Sequence, residues 1–435
     1  MDHLPRTSIP QPALDTRLLW TLVLTTALAV GNVYYAQPLL VEIGDTFHRT
    51  AGEVGALPSI SQLGYVFGLF FLTPLGDVSE KRRLLVGLLM SAGFALAGCS
   101  LAPNFVFLLF MAFGVGLTAV LVQIIIPFVA SLSSPQNRGR NLGLVLSAAL
   151  LGILASRTLS GFLGAMIGWR GMYFVASLMM FLLAFVLRIS MPQSTAQSTA
   201  QSAAQSLLQS VSSPPLLEPR PIEPKPTERP LSYPKLLKSV WDLFRTLPKV
   251  RAIAINGGLM YGALSAFWAS LAFYMQSPAY NLGPRTAGAF GLIGAAGAVA
   301  ATYAGRHAER IGVRRVIQIC IAMMAVSYIV MALSRGYLPM LIVGVIFLDL
   351  GAQAATVSNQ TQLYSLHATA QTRLNTIYKM VYMIGGAAGS FASALAWQYR
   401  GWPAVCGVGL SFLVAAWIWE KFSPLTAESK AARKA

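Results

Sequence analysis

Charged residues are scarce in this chain: Asp, Glu, Lys and Arg make up 11% of its 435 residues, while hydrophobic residues make up 55%. Such a chain cannot cover its surface with solvated side chains, which excludes an ordinary soluble enzyme or scaffold. Cysteine is nearly absent. Cys99, Cys320 and Cys406 each lie in or beside an apolar run, too few and scattered for a disulfide framework or a metal cluster, so packing roles are expected. No phosphate-cradling loop, metal-ligand spacing or nucleophile constellation can be read. An ATP-driven pump and a membrane enzyme are therefore not expected, nor any cofactor or metal.

What the chain has instead is long apolar runs. A membrane-spanning helix needs about 20 apolar residues, because the hydrocarbon core is about 30 Å thick and a helix rises about 1.5 Å per residue. Twelve such segments are predicted, helices 1 to 12: 18–40, 54–75, 84–102, 106–130, 141–167 and 172–190, then 252–275, 286–304, 316–333, 338–363, 374–397 and 402–422. The expected class is an all-α integral membrane protein. The first run has full spanning length with no small-residue cleavage site after it, so it is expected to remain as helix 1.

A formal net charge of +17 suggests nucleic acid only until the cations are located. With residues 1–17 in the cytoplasm, 25 of the 32 Lys and Arg fall on that side and five face outward, Arg49, Arg170, Arg285, Arg335 and Arg400. This follows the positive-inside rule, with both termini cytoplasmic in a bacterial inner membrane and lipid, not nucleic acid, as the macroscopic partner. The expected organisation is a tail at 1–17, a six-helix half at 18–191, a linker at 192–250, a second half at 251–422 and a tail at 423–435. From 192 to about 232 the linker is Ser, Gln and Pro-rich, as flexible connections are. Leu236, Leu237, Val240, Trp241, Phe244 and Leu247 then recur at helical spacing, as in an amphipathic helix on the inner leaflet.

The chain reads as built twice. The stretch 74–83 (PLGDVSEKRR) is a charged hairpin between helices 2 and 3, with Asp77, Lys81, Arg82 and Arg83. It returns as GRHAERIGVRR from Gly305, with Glu309 lying 232 positions after Asp77 and with Arg310, Gly312, Arg314 and Arg315 following. Arg138 and Arg373 are 235 apart, and Trp169 and Trp402 are 233 apart. A duplicated six-helix unit explains all three offsets. Small residues three or four apart mark helices 2 (Gly55, Gly64, Gly68), 5 (Gly152, Ser156, Ser160, Gly161), 8 (Gly288, Gly291, Gly294, Gly297) and 11 (Gly385, Gly386, Gly389, Ser390). These faces allow close helix approach, and the two halves are expected to rock along them.

Polar groups at membrane depth are the candidate site. Asp349 is the one acidic residue well inside a span, 11 residues from the outer end of helix 10, or about 16 Å deep. An ionised carboxylate there is costly, which makes it a candidate to carry a proton or contact substrate. Gln353 lies one turn away on the same face. Arg157 lies 16 residues into helix 5. It can snorkel outward, bind an anionic substrate, pair with Asp349 or lock an outer gate. Lys379, six residues into helix 11, is expected to snorkel to the cytoplasmic headgroups. Gln123 in helix 4, and Asn32, Tyr34, Tyr35 and Gln37 near the end of helix 1, are further candidates, the tyrosines serving equally well as an interfacial aromatic belt.

Over essentially the whole chain these residues resemble the major facilitator superfamily, and most closely its bacterial drug:proton antiporter branch. The family's hairpin motif is matched closely by Gly305, Glu309, Arg310, Gly312, Arg314 and Arg315, and in part by Asp77, Lys81 and Arg82. Its antiporter motif in helix 5 is matched in outline by Gly152, Ser156, Arg157, Ser160 and Gly161, with Arg157 at the proline position. The resemblance implies two pseudo-symmetric six-helix halves around a central cavity lined mainly by helices 1, 4, 7 and 10, alternating access, and proton-coupled efflux of a small molecule by a single chain. Uptake or uniport of a neutral or anionic metabolite is the alternative; a channel or sensor is a different class. The resemblance also implies that Asp77, and Glu309 in the second half, form a latch made in one access state only.

Overall fold

The computed structural model describes residues 15–134, 136–191, 233–294, 312–334, 336–366 and 371–423. Gly305, Glu309, Arg310, Gly297 and the linker up to 232 lie outside these, as does the side chain of Asp77. Among the described residues nine helical stretches are long and apolar enough to cross a membrane. Two of them hold two crossings each. Arg138–Ser190 is interrupted at Gly168 (φ 72°) and Gln371–Phe422 at Arg400 and Gly401 (φ 63°), separating helix 5 from 6 and helix 11 from 12. The eighth segment is helical over 284–294, its described part, which makes twelve helices.

The repeat is built into the turns. At both breaks, Gly168 and Gly401, a glycine with positive φ, a conformation that costs glycine little, precedes a tryptophan that anchors the next helix. The Trp169 indole donates to Thr46 Oγ1 at 2.9 Å at the end of helix 1, and the Trp402 indole donates to the Met331 carbonyl at 3.0 Å at the end of helix 9. The hairpin arginines repeat as well. Arg82, at the start of helix 3 (Lys81–Ser100), donates to the Arg188 carbonyl at 2.6 Å at the end of helix 6. Arg314, at the start of helix 9 (Val313–Leu333), lies 3.4 Å from the Glu420 carboxylate at the end of helix 12. Both therefore brace helices within their own half. Arg83 pairs with Glu80 at 2.7 Å and Arg315 is exposed.

Helix starts carry their own caps. Asp15 accepts from Arg17 N, Asn104 accepts from Phe107 N, and Thr50 with Glu53 forms a reciprocal capping box before helix 2, satisfying amides that the helix leaves unpaired. Two spans differ from the sequence reading. Helix 1 does not end near residue 40; it runs on to Phe47 through short 3-10 turns at Asn32–Tyr34 and Gln37–Leu39. Pro38 and the charges of Glu42 and Asp45 signal an end, but Pro is tolerated at the start of a new helical segment. Helix 4 is likewise two pieces, Phe105–Thr118 and Leu121–Leu132, the second containing Pro127. The large exposed apolar side chains, Phe94, Phe110, Met166, Phe185 and Ile189 among them, form the lipid-facing surface.

We call the end where helix 1 begins the terminal face and the opposite end the far face. Toward the far face the halves meet backbone to backbone. Gly161 of helix 5 packs on Gly288 of helix 8, where a β-carbon on either residue would strike the other's main chain, and Thr158 Oγ1 donates to the Gly288 carbonyl at 3.0 Å. Helix 2 meets helix 11 the same way: Gly52 N donates to Gln398 Oε1 at 3.1 Å and Ser59 to the Ala387 carbonyl at 3.0 Å. Gly291 continues the seam of helices 5 and 8 against the Leu154 carbonyl of helix 5, whereas Gly64 and Gly68 pack on helix 4, Gly152 on helix 1, and Gly385 and Gly389 on helix 7 (Pro248–Gln276), each within its own half. After the linker, Tyr233–Thr246 is the expected helix; Leu243 and Phe244 face the start of helix 7, and Tyr233 donates to the Phe71 carbonyl of helix 2 at 2.8 Å.

Candidate functional site: a buried arginine and aspartate joined by tryptophan

Among the described spans helix 7 is the most enclosed, buried along nearly its whole length. It carries Trp268 into the centre of the molecule. The indole N–H donates to Asp349 Oδ1 of helix 10 at 3.4 Å, and the Arg157 guanidinium of helix 5 lies 4.1 Å from the Trp268 ring centroid. Arg157 also donates from Nε to Gln37 Oε1 at 2.7 Å and from NH1 to the Ile153 carbonyl at 3.3 Å, and sits 4.7 Å from the Tyr34 ring centroid. It is 4% exposed, so it does not snorkel. The cation is instead held by one amide, one carbonyl and two aromatic faces, each partner favourable to a desolvated guanidinium.

Asp349 is 3% exposed and forms no ion pair with Arg157; the indole stands between them. Its Oδ2 has no hydrogen-bond partner among the described residues and faces Gly294 of helix 8. A buried carboxylate oxygen left without a donor is a cost that a packed structural network would have removed. From Asp349 toward the terminal face the same side of helix 10 opens, with Gln353, Thr356 and Gln360 partly exposed.

Of the helix 1 candidates, Tyr34 and Gln37 meet at Arg157, because the 3-10 turns aim them inward. The tyrosines form no interfacial belt, since Tyr34 is 4% and Tyr35 5% exposed in mid-span. Tyr35 lines a small space beside Gly152 and Ser156, and Asn32 donates to Met180 sulfur at 3.4 Å on helix 6. Gln123 is drawn into a chain across the halves: Asn375 of helix 11 donates to Gln123 Oε1 at 3.2 Å, Gln123 donates to Tyr65 at 3.3 Å, and Tyr364 donates to Asn375 at 3.2 Å. This chain lies in the terminal half of the membrane.

Sequence reasoning missed Trp268, Tyr261 and Tyr382. Tyr261 shares a hydroxyl contact of 3.2 Å with Tyr34 and stacks on Tyr382 of helix 11 with centroids 3.9 Å apart. Lys379 does not reach for headgroups; its ammonium lies 4.9 Å from the Tyr382 centroid. The available signal was Tyr378, Lys379 and Tyr382 sharing a helix 11 face.

The chain matches the Major Facilitator Superfamily in two overlapping stretches, residues 22–389 and 253–435. It is 36% identical to the uncharacterized transporter YgaY of Escherichia coli O157:H7, covering 94% of this chain and 96% of that one. It is 28% identical to a protein named as a probable transporter of Streptomyces coelicolor, over 94% and 88% of the two chains. Its fold is similar to the inward-facing, unoccupied crystal structure of a bacterial homologue of the human lysosomal transporter Spinster, at a TM-score of 0.68 with 14% identity over 92% and 94% of the chains. Twelve helices in two related halves, closing on a buried charged centre, are thus those of a membrane transporter, and the chain belongs to the major facilitator superfamily.

Proposed function

We propose that this transporter is secondary active, works by alternating access, and couples to protons through Asp349, as a single chain in the inner membrane with both termini cytoplasmic. The observation that carries the reading is the Oδ2 of Asp349, without a partner among the described residues, at bilayer depth beside a partly exposed helix face. A carboxylate in that position can hold a proton while one face is closed and release it when the other opens. No nucleotide enters this cycle; the gradient supplies the drive.

The direction we take is export in exchange for protons, on the resemblance of the hairpin and of helix 5 to drug:proton antiporters. One observation favours a second reading, uptake or uniport of a small anion: Arg157 is buried with no carboxylate within ion-pair reach among the described residues. The test is purified protein in liposomes loaded with a pH-sensitive dye, after a thermal-shift screen of metabolites and drugs has supplied a substrate. Substrate entry that alkalinises the lumen supports antiport, and acidification supports symport. Saturable transport with no proton movement removes Asp349 from the coupling, and unsaturable current indicates a channel.

A further inference from the structure

Two cations stand at the ends of one run of aromatic side chains. Lys379 lies over Tyr382; Tyr382 stacks on Tyr261 with an interplanar angle of 13°; Tyr261 meets the Tyr34 hydroxyl; and Tyr34 presents its face to Arg157, with Trp268 on the other side. The run starts in the terminal half of helix 11 and ends at the centre, and four helices supply it. Lys379 and Tyr382 are partly exposed, whereas Arg157 and Trp268 are buried.

We propose that this run is a two-station track for an organic anion with a flat apolar body, in which Lys379 receives the anionic group and Arg157 holds it at the centre. Ring faces attract cations, so a cationic cargo is the competing idea. Both ends of the run already carry a positive charge, and a third inserted between them would be repelled at close range in a medium of low dielectric. A carboxylate or sulfonate meets the opposite field at Lys379 and, with Asp349 protonated, at Arg157, and its apolar part packs against the edges of the stacked Tyr382 and Tyr261 rings. Arg157 is suited to the deep station because its fork can take two anion oxygens at once, whereas a lysine offers a single flexible ammonium suited to capture and release.

The inference rests on the reading of the buried centre around Asp349 and Arg157 as the transport site, and is tested at equilibrium with no gradient, so that failure of proton coupling and failure of the ligand class are separate results. Full-length protein in phosphatidylcholine nanodiscs is titrated calorimetrically with three probes of one shape: 2-naphthoate, 2-naphthamide and 2-naphthylmethylammonium. Naphthoate is expected to bind at least tenfold tighter than the amide, and the ammonium weakest. Lys379→Gln is expected to weaken naphthoate about three- to tenfold while keeping its preference over the amide, because the deep station remains. Arg157→Gln is expected to reduce naphthoate to the amide's level; Arg157→Lys, which keeps the charge, serves if the first variant does not fold and is expected to retain the preference in weaker form. Equal binding of the anion and the amide, tighter binding of the ammonium, or no binding by any probe overturns the proposal. So does a Lys379→Gln protein that binds naphthoate as the native one does.

Discussion

The Arg157 guanidinium rests on one face of the Trp268 indole, 4.1 Å from its centroid, while the edge of the same ring donates its N–H to Asp349. The two buried charges are thereby kept apart yet read by one side chain, so a change at either is felt through Trp268. Trp268→Phe keeps an aromatic face for Arg157 and removes the donor. A net hydrogen bond is worth about 1 kcal/mol, so proton-coupled transport is expected to fall by roughly three- to tenfold with its pH profile displaced. Trp268→Ala is expected to cost about 3–5 kcal/mol of stability, visible as a lower melting temperature. A Phe variant with an unaltered pH profile would show that the indole N–H is irrelevant to coupling.

Asp349→Asn preserves shape and removes the titrating group. The protein is expected to fold normally and to lose proton-driven movement of substrate by 100-fold or more, with counterflow exchange retained. Full coupling in this variant contradicts the role given to Asp349.

On the terminal side the amides of Gln123 and Asn375 bridge the two halves. Asn375→Ala deletes both this bond and the one from Tyr364. Only the first spans the halves, and losing about 1 kcal/mol there is expected to raise the terminal-open population several-fold. The native cysteines are buried, so a cysteine placed at Gln353 gives a clean labelling readout with an impermeant maleimide, and its rate is expected to increase accordingly.

On the far side, Gly161→Val puts two methyl groups where the Gly288 backbone lies. Closure there is expected to fail and transport to drop at least 100-fold while ligand binding persists. Normal turnover would mean that helices 5 and 8 can close without this contact.

Asp77 stands in the short helix Leu75–Val78 beside the hairpin. If it latches one access state, Asp77→Asn slows turnover without weakening substrate binding; a loss confined to binding contradicts the latch.

Much of this arrangement was legible in the sequence. Apolar runs and the offsets near 233 give twelve helices and two halves, and Asp349, Arg157, Tyr34 and Gln37 do converge. Trp268, Tyr261 and Tyr382 were not legible, because an aromatic residue in an apolar run leaves hydropathy unchanged whether it faces lipid or a guanidinium. Lys379 was misread for the related reason that distance from a helix end says nothing of a ring waiting beside it. Arg82 and Arg314 could be found as a repeat, but their docking on the ends of helices 6 and 12 depends on neighbours that spacing does not reveal.

The two closures differ in kind. Prising apart helices 5 and 8 exposes a whole meshed strip of main chain at once, whereas the Gln123 and Asn375 amides can trade each other for water at almost no loss. If the two faces open in turn, the meshed far seam is the stiffer closure and the amide bridge the one that exchanges readily with water.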